Sequence, residues 1–174
     1  MNDTVMSIVA IFLAAILMFI FPLMSTADRS DDIAQQAVQT QTTEFVDNIR
    51  TTGKITQDAY NSFATTIAGT GNSFDIELEV QVLDDNARKK TAQASASKVG
   101  ENSYYSEYTS QIQEHMDKNN GTYVLKEGDI VSCTVRNTSQ TMSQMLKNFF
   151  YQVTGNNSYN ISGQHSGIVN VNGN

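Results

Sequence analysis

Three carboxylates alternate with apolar residues in one short segment of the chain, FDIELEVQVLD. Asp75, Glu77 and Glu79 stand two residues apart, and neighbouring carboxylates can serve as a general acid and base. The same spacing places all three on one face of a β-strand, with Phe74 and Ile76 beginning the opposite, apolar face. We interpret the segment as a half-buried strand whose acidic face is solvated, and we expect no catalysis from it.

Residues suited to metal binding or nucleophilic attack are few and scattered. His115 and His165 are the only histidines, and neither has metal-ligand spacing with Cys133 or with a carboxylate cluster. Cys133 is the only cysteine, and it shares a predicted strand face with Val131 and Val135. That pattern favours a small core residue over a nucleophile. No nucleophile, base and orienting group occur together, so we expect no enzyme, no metal and no cofactor.

Composition excludes several classes of partner. The 174 residues carry a formal net charge of −7, whereas a nucleic-acid binder needs clustered Lys and Arg. The negative charge also argues against a domain held on an anionic lipid surface. No phosphate-binding, dinucleotide-binding or zinc motif occurs, and we expect no small-molecule substrate. Asp84-Asp85-Asn86 lacks the alternating oxygen ligands of a calcium loop, and we interpret it as a turn.

The longest uncharged run extends from Val5 to Met24. As a helix it would rise about 30 Å, the hydrocarbon thickness of a bilayer. Asp3 before the run and Asp28 after it give both ends a polar flank, so we predict a retained membrane-spanning helix. A secretory signal cleaved after Ala27 is the alternative, but no Lys or Arg precedes the run, and signal cores are typically shorter.

The sequence as a whole predicts an α+β fold, with a small antiparallel sheet in a C-terminal head. The predicted parts are a transmembrane segment at 1–28, an amphipathic stalk helix at 29–52 and an extracytoplasmic head at 53–174. A helix break near Ser25–Asp28 is compatible with the acidic residues there. The predicted buried stripe of the stalk is Ile33, Ala37, Phe45 and Ile49, flanked by Val38 and Val46.

Local signals divide the head into alternating helices and strands. The predicted order is a helix at Gln57–Ala68 capped by Thr56, the acidic-faced strand, a long polar connection, a helix at Tyr104–Asp117, two short strands around the turn at Lys126–Asp129, an apolar helix from Met142 to Val153 and a strand region at Tyr159–Val171.

This plan resembles that of the type IV pilins and pseudopilins. Pro22, late in the apolar run, is similar to the proline of many pilin spines, and the segments IVSCTV, MSQMLKNFF and SGIVNV resemble TadE-type minor pilins of tight-adherence systems. The resemblance implies a single-pass membrane protein with its head outside, associating with itself or with other pilin-like subunits in a filament. Arg29, the only basic residue near the span, would by itself favour the opposite orientation. Val5 stands where, counted from Met1, pilins carry a glutamate.

The candidate residues for helix assembly are Ala10, Ala14, Ala15 and Pro22. Small side chains let neighbouring helix backbones approach, and a proline can bend the axis of a packed helix. Two other functions fit the same sequence. One is a membrane-anchored extracellular binding or adhesion module that does not polymerise, and the other is a secreted protein released by signal cleavage.

Overall fold

A computed structural model of the chain describes residues 2–83, 104–150 and 161–173. One long N-terminal helix is followed by a small antiparallel-sheet domain, an α+β arrangement that is consistent with the predicted class. The helices are α1 (Asn2–Thr52), α2 (Gln57–Ala68), α3 (Thr109–Lys118) and α4 (Met142–Phe150). The strands are β1 (Lys54–Thr56), β2 (Phe74–Leu83), β3 (Tyr104–Tyr108), β4 (Thr122–Val124), β5 (Ile130–Asn137) and β6 (Ser162–Ile168). Outside the described residues lie the predicted connection with its Asp84-Asp85-Asn86 turn, and Val153 and Tyr159 at the ends of predicted elements.

Helix α1 continues without interruption through Ser25–Asp28, where a break was compatible with the sequence. It contains no glycine, and its one proline, Pro22, lies within the helix. The hydroxyl of Thr26 donates to the Pro22 carbonyl over 2.9 Å. Gly53, with φ of 67°, follows the last helical residue and turns the chain toward β1. The apolar run and the stalk are therefore parts of a single helix.

The buried face of α1 differs in part from the predicted stripe. Ile33 is 60 % exposed, and the buried positions near it are Ala34 and Val38. Phe45 and Ile49 are buried as predicted. An α-helix advances 3.6 residues per turn, so a stripe built from steps of four residues drifts around the axis and cannot stay on one face.

The main sheet has four antiparallel strands in the order β3-β2-β5-β6. Strand β2 confirms the predicted alternation, because Leu78 and Val80 are buried while Asp75 and Glu77 are exposed. Cys133 on β5 lies opposite Leu78 and is also buried, as predicted for a core residue. A second sheet contains only β1 and β4.

The helix predicted at Tyr104–Asp117 is wrong in its first part. Residues Tyr104–Tyr108 form β3 instead, and the helix begins only at Thr109. Aromatic residues favour strands, and pairing with β2 satisfies the backbone groups of this segment. That pairing partner is distant in sequence, so helical periodicity could not reveal it. The second part is confirmed, because Ile112 and Met116 are buried in α3.

The two strands predicted around the Lys126–Asp129 turn exist, but they do not pair with each other. Strand β4 pairs with β1, and β5 lies between β2 and β6. The buried Asp129 carboxylate accepts hydrogen bonds from the Leu83 N–H at 2.9 Å and the Lys126 N–H at 2.8 Å. Asp129 thus ties the turn between β4 and β5 to the end of β2.

The apolar helix predicted from Met142 is present as α4. Unlike a helix of the core, it buries polar side chains and leaves apolar ones exposed. Ser143 and Gln144 are buried, whereas Met142 is 62 % and Met145 is 52 % exposed. The reason is a set of polar contacts between α4 and α1, described below, which turn the hydrophilic side of α4 inward. The side chains of Phe149 and Phe150 lie outside the described residues.

The C-terminal half of α1 and the sheet share one hydrophobic core. Val38, Val46 and Ile49 of α1 belong to the same buried cluster as Leu78 and Cys133 of the sheet. Close approach depends on Gly163 of β6. A Cβ at that position would lie 2.8 Å from the Thr42 hydroxyl and 3.1 Å from a Val38 methyl carbon. The stalk therefore packs as an integral part of the head.

Two glutamines of α1 cover the outer edge of β6. Gln35 accepts from the Ser162 N–H at 2.9 Å and donates to the Ser162 carbonyl at 2.6 Å. Gln39 makes the same pair of bonds to Gln164, at 3.3 and 3.1 Å. An unpaired strand edge is a template for association with another strand, so these glutamines close this part of the sheet to strand addition.

Candidate functional site

The largest unburied apolar surface of the described chain is the N-terminal half of α1. The most apolar 18-residue window of the helix has a mean hydropathy of 2.8, and none of it is buried. Phe12 and Phe19 are 69 % and 73 % exposed. Contiguous apolar surface of this size marks a membrane or protein contact in a folded protein. The helix is long and apolar enough to cross a membrane.

The four helix-assembly candidates all lie on this surface and are exposed. They do not form one site. At about 100° per residue, Ala10 and Ala14 lie within about 40° of each other around the axis, and Ala15 and Pro22 form a second narrow stripe about 100° further on. Continuous helix on both sides of Pro22 is what gives each stripe a fixed direction.

The apolar half of α1 ends where α4 is fastened to it. Asp28 accepts a hydrogen bond from the Ser143 hydroxyl and forms an ion pair with Lys147, with 2.5 Å between Nζ and Oδ1. One turn further along, Asp31 accepts from the Thr141 hydroxyl at 2.6 Å. Asp28 and Asp31, acidic residues just after the apolar run, therefore bind side chains that hold α4 against α1. Sequence reasoning missed this role, because 110 residues separate Asp31 from Thr141.

A second candidate site is an open groove of 830 Å³ between β3, α3 and β4. At its centre the Tyr123 hydroxyl donates to Glu107 Oε2 over 2.8 Å. His115 lies beside them, with its Nε2 4.0 Å from the same carboxylate oxygen. Its ring is edge-on to the ring of Tyr123, and the two ring centroids are 5.7 Å apart. Tyr105, 52 % exposed, also lines the groove.

The tyrosine hydroxyl in this groove is held in its protonated form. Burial, and secondarily the neighbouring Glu107 carboxylate, raises the pKa of Tyr123 well above its usual range. The Tyr123 hydroxyl therefore stays protonated and engaged with Glu107 at neutral pH. Sequence reasoning missed this cluster because it assigned Glu107 to a helix. The β-prone run of tyrosines around it was the signal that could have placed it on a strand.

His165, the second histidine of the chain, lies in a set of polar contacts that join β6 to α1. His165 on β6 lies 3.4 Å from Asp47 of α1, and Asp47 also pairs with Arg50 at 2.7 Å. Arg50 in turn donates to the Ile168 carbonyl at 3.0 Å, which fastens β6 to α1. Among residues 2–83, 104–150 and 161–173, no group of three or more His, Cys, Asp or Glu side chains is placed to hold a metal ion.

Cys133 should be unreactive while the protein is folded. It is fully buried, and burial raises the pKa of its thiol to about 12. The thiolate is the reactive form, so we expect negligible reaction with Ellman's reagent at pH 8 in native buffer, and one thiol per chain in urea. Reaction of the native protein at the rate of a small free thiol would contradict the placement of Cys133 in the core.

No protein-family model matches the chain, and no curated protein or solved structure matches it either. The structure defines the class of protein on its own terms. It is an α+β protein with a long N-terminal helix that is apolar enough to cross a membrane. The second half of this helix contributes side chains to the core of a small antiparallel-sheet domain.

Proposed function

We propose that this chain is a non-enzymatic, membrane-anchored, pilin-like subunit that takes part in assembling a surface pilus or a related secretion apparatus. Its N-terminal apolar run spans the cell membrane once, and its head lies outside. Its partners are the membrane and other copies of itself or other pilin-like subunits. Ala10, Ala14, Ala15 and Pro22 are the residues proposed for contacts between helices.

The observation that carries the proposal is the continuity of α1. A passive anchor needs only an apolar span, and a flexible linker can join such a span to its domain. Here the exposed apolar half and the buried half are one helix, and Val38, Val46 and Ile49 lock the latter into the head. The angle between the span and the head is therefore fixed. Packing the spans side by side would repeat the heads in a regular array, which is what a filament subunit requires.

The small residues support the same function. Without a hydrophobic driving force inside a membrane, helices associate through close packing, and small side chains permit the closest approach. Ala10 and Ala14 form one such stripe, and Ala15 with Pro22 forms another. Two stripes in different directions would let one span contact two neighbours, as in a polymer, whereas one stripe suffices for a dimer.

A membrane-anchored binding module that does not polymerise is the second candidate. The groove beside β3 favours it, because Tyr105, Tyr123 and His115 present aromatic surface next to the Glu107 carboxylate. Aromatic residues are enriched where proteins bind one another. The two functions share one anchor and differ in whether the spans associate.

Substitutions within the span separate these functions. We expect Ala14→Leu and Ala15→Leu to weaken self-association in detergent several-fold, because added bulk holds the helix backbones apart. Val9→Leu and Ile16→Leu are the matched controls, since each also exchanges one apolar side chain for leucine. Both positions lie about 100° or more around the axis from either stripe and should leave association unchanged. Dimer and oligomer populations would be measured by crosslinking and by sedimentation.

Two outcomes would count against the filament subunit. Equal behaviour of all four variants would indicate a passive anchor and favour the binding module. An intact mass corresponding to a chain beginning at Asp28, measured on protein from the native host, would show that the apolar run is removed and that the protein is secreted. Retention of all four variants in the membrane fraction shows that the substitutions have not disturbed insertion.

A further inference from the structure

Helix α4 turns its polar side to the protein and its apolar side outward. Ser143, Lys147 and the N-terminal flanking Thr141 bind the aspartates of α1, while Met142 and Met145 remain mostly exposed. The apolar surface of Met142 and Met145 is therefore left largely uncovered by the residues that the structure describes.

The position of α4 along α1 indicates which part of a bilayer lies beside α4. Asp28 follows the end of the apolar run at Met24 by four residues, which is about 6 Å along a helix, and Asp31 follows it by about 10 Å. The polar headgroup layer on each side of a bilayer is about 5–7 Å thick. A helix fastened at Asp28 therefore lies at the level of the headgroups when the apolar run spans the hydrocarbon core.

The direction of α4 brings its later residues closest to the membrane. Its N-terminal flank, at Thr141, contacts Asp31, and its middle, at Ser143 and Lys147, contacts Asp28. From the N-terminal end of α4 to its middle, the α1 residue that it contacts therefore changes from Asp31 to Asp28, which is one turn closer to the apolar run. Helix α4 descends toward the bilayer instead of leading away from it.

We propose that α4 is an interfacial helix that inserts Met145 and Leu146, which lie beyond Met142 in the direction of the bilayer, into the headgroup and acyl boundary of the leaflet from which α1 emerges. The occupant of its apolar face is zwitterionic phospholipid, because the chain's net charge of −7 gives no attraction to an anionic surface. The inference rests on the proposed membrane anchoring of α1 and is independent of filament assembly. With α1 spanning and α4 lying in the interface, the head has two attachments and a fixed tilt.

Spin labels at single cysteines test this proposal in the full chain. The protein would carry Cys133→Ala and be reconstituted in phosphatidylcholine nanodiscs. Met145→Cys reports on α4, and Met18→Cys is the control within the span. Ile33→Cys is the matched control, because Ile33 is a similarly exposed apolar residue about 14 Å beyond Met24, outside the headgroup layer. Collisions with oxygen, which partitions into lipid, are compared with collisions with a water-soluble nickel chelate.

We expect the ratio of oxygen to nickel collisions at Met145 and at Met18 to exceed that at Ile33 several-fold. A ratio at Met145 equal to that at Ile33, with Met18 still in lipid, would overturn the interfacial helix and leave the anchor intact. Shielding of Met145 from both reagents would also overturn it, since the face would then be covered by protein and not by lipid. A nickel-accessible Met18 would overturn both the anchor and the interfacial helix that depends on it.

Discussion

Removal of residues 1–24 will leave a soluble chain that unfolds cooperatively, whereas removal of residues 1–52 will abolish cooperative unfolding. The first truncation removes no residue of 3–24 that is buried in the structure, and it keeps Asp28 and Asp31 for α4. The second removes the helix that fills one side of the core. The side chains of the hydrophobic core lost with it are Ala34, Val38, Phe45, Val46 and Ile49.

The size of the effect follows from the burial of these side chains. Each of the four larger ones contributes about 1.5–3 kcal/mol when buried, or about 6–12 kcal/mol together. A domain of this size has a total stability of only about 5–15 kcal/mol. The second truncation also exposes the β6 backbone at Ser162 and Gln164, which Gln35 and Gln39 cover in the intact chain.

Circular dichroism and urea unfolding of the two truncated chains would measure this difference. A cooperative transition in the chain that begins at residue 53 would show that the sheet domain folds without α1, which contradicts the shared core. A failure of the chain that begins at residue 25 to fold would show that the apolar run itself contributes to the stability of the head.

Phe45→Ala will lower the free energy of unfolding by about 3–5 kcal/mol, the usual cost of truncating a buried aromatic side chain. Phe45 is 7 % exposed and stacks on Phe63 with ring centroids 4.5 Å apart and planes 3° from parallel. The stack joins α1 to α2, so its loss leaves a cavity between two helices as well as removing apolar contact.

Ile33→Ala is the matched control for Phe45→Ala. It removes a large apolar side chain from the same helix, but Ile33 is 60 % exposed, so we expect a change within about 0.5 kcal/mol. Urea unfolding of the chain lacking residues 1–24 measures both variants. Equal effects of the two substitutions would mean that the buried face of α1 includes Ile33, as the four-residue pattern in the sequence predicts.

Elements governed by local interactions could be predicted from the sequence. Helix α2 begins and ends at the predicted residues, because Thr56 caps it by accepting from the Ala59 N–H at 3.2 Å and Gly69 follows its last turn. The alternation in β2 identified its buried face, and the position of Cys133 followed from the same period of two. These signals lie within a few residues of the structure they specify.

Elements governed by pairing across the chain could not be predicted in the same way. Tyr104–Tyr108 became a strand because the edge of β2 was available to it. Strand β4 pairs with β1, and β5 pairs with β2 and β6, all of them distant in sequence. The groove that joins Glu107, His115 and Tyr123 depends on both outcomes, so no local pattern could have assembled it.

The sequence by itself determined that the chain begins with a helix able to cross a membrane, because twenty uncharged residues in a row suffice for that property. It also predicted that the segment after Thr141 is an apolar helix. Only the tertiary structure decided which side of that helix faces the protein. Asp28 and Asp31 bind its polar side, since buried hydroxyl and charged groups require partners, and Met142 and Met145 are left facing outward.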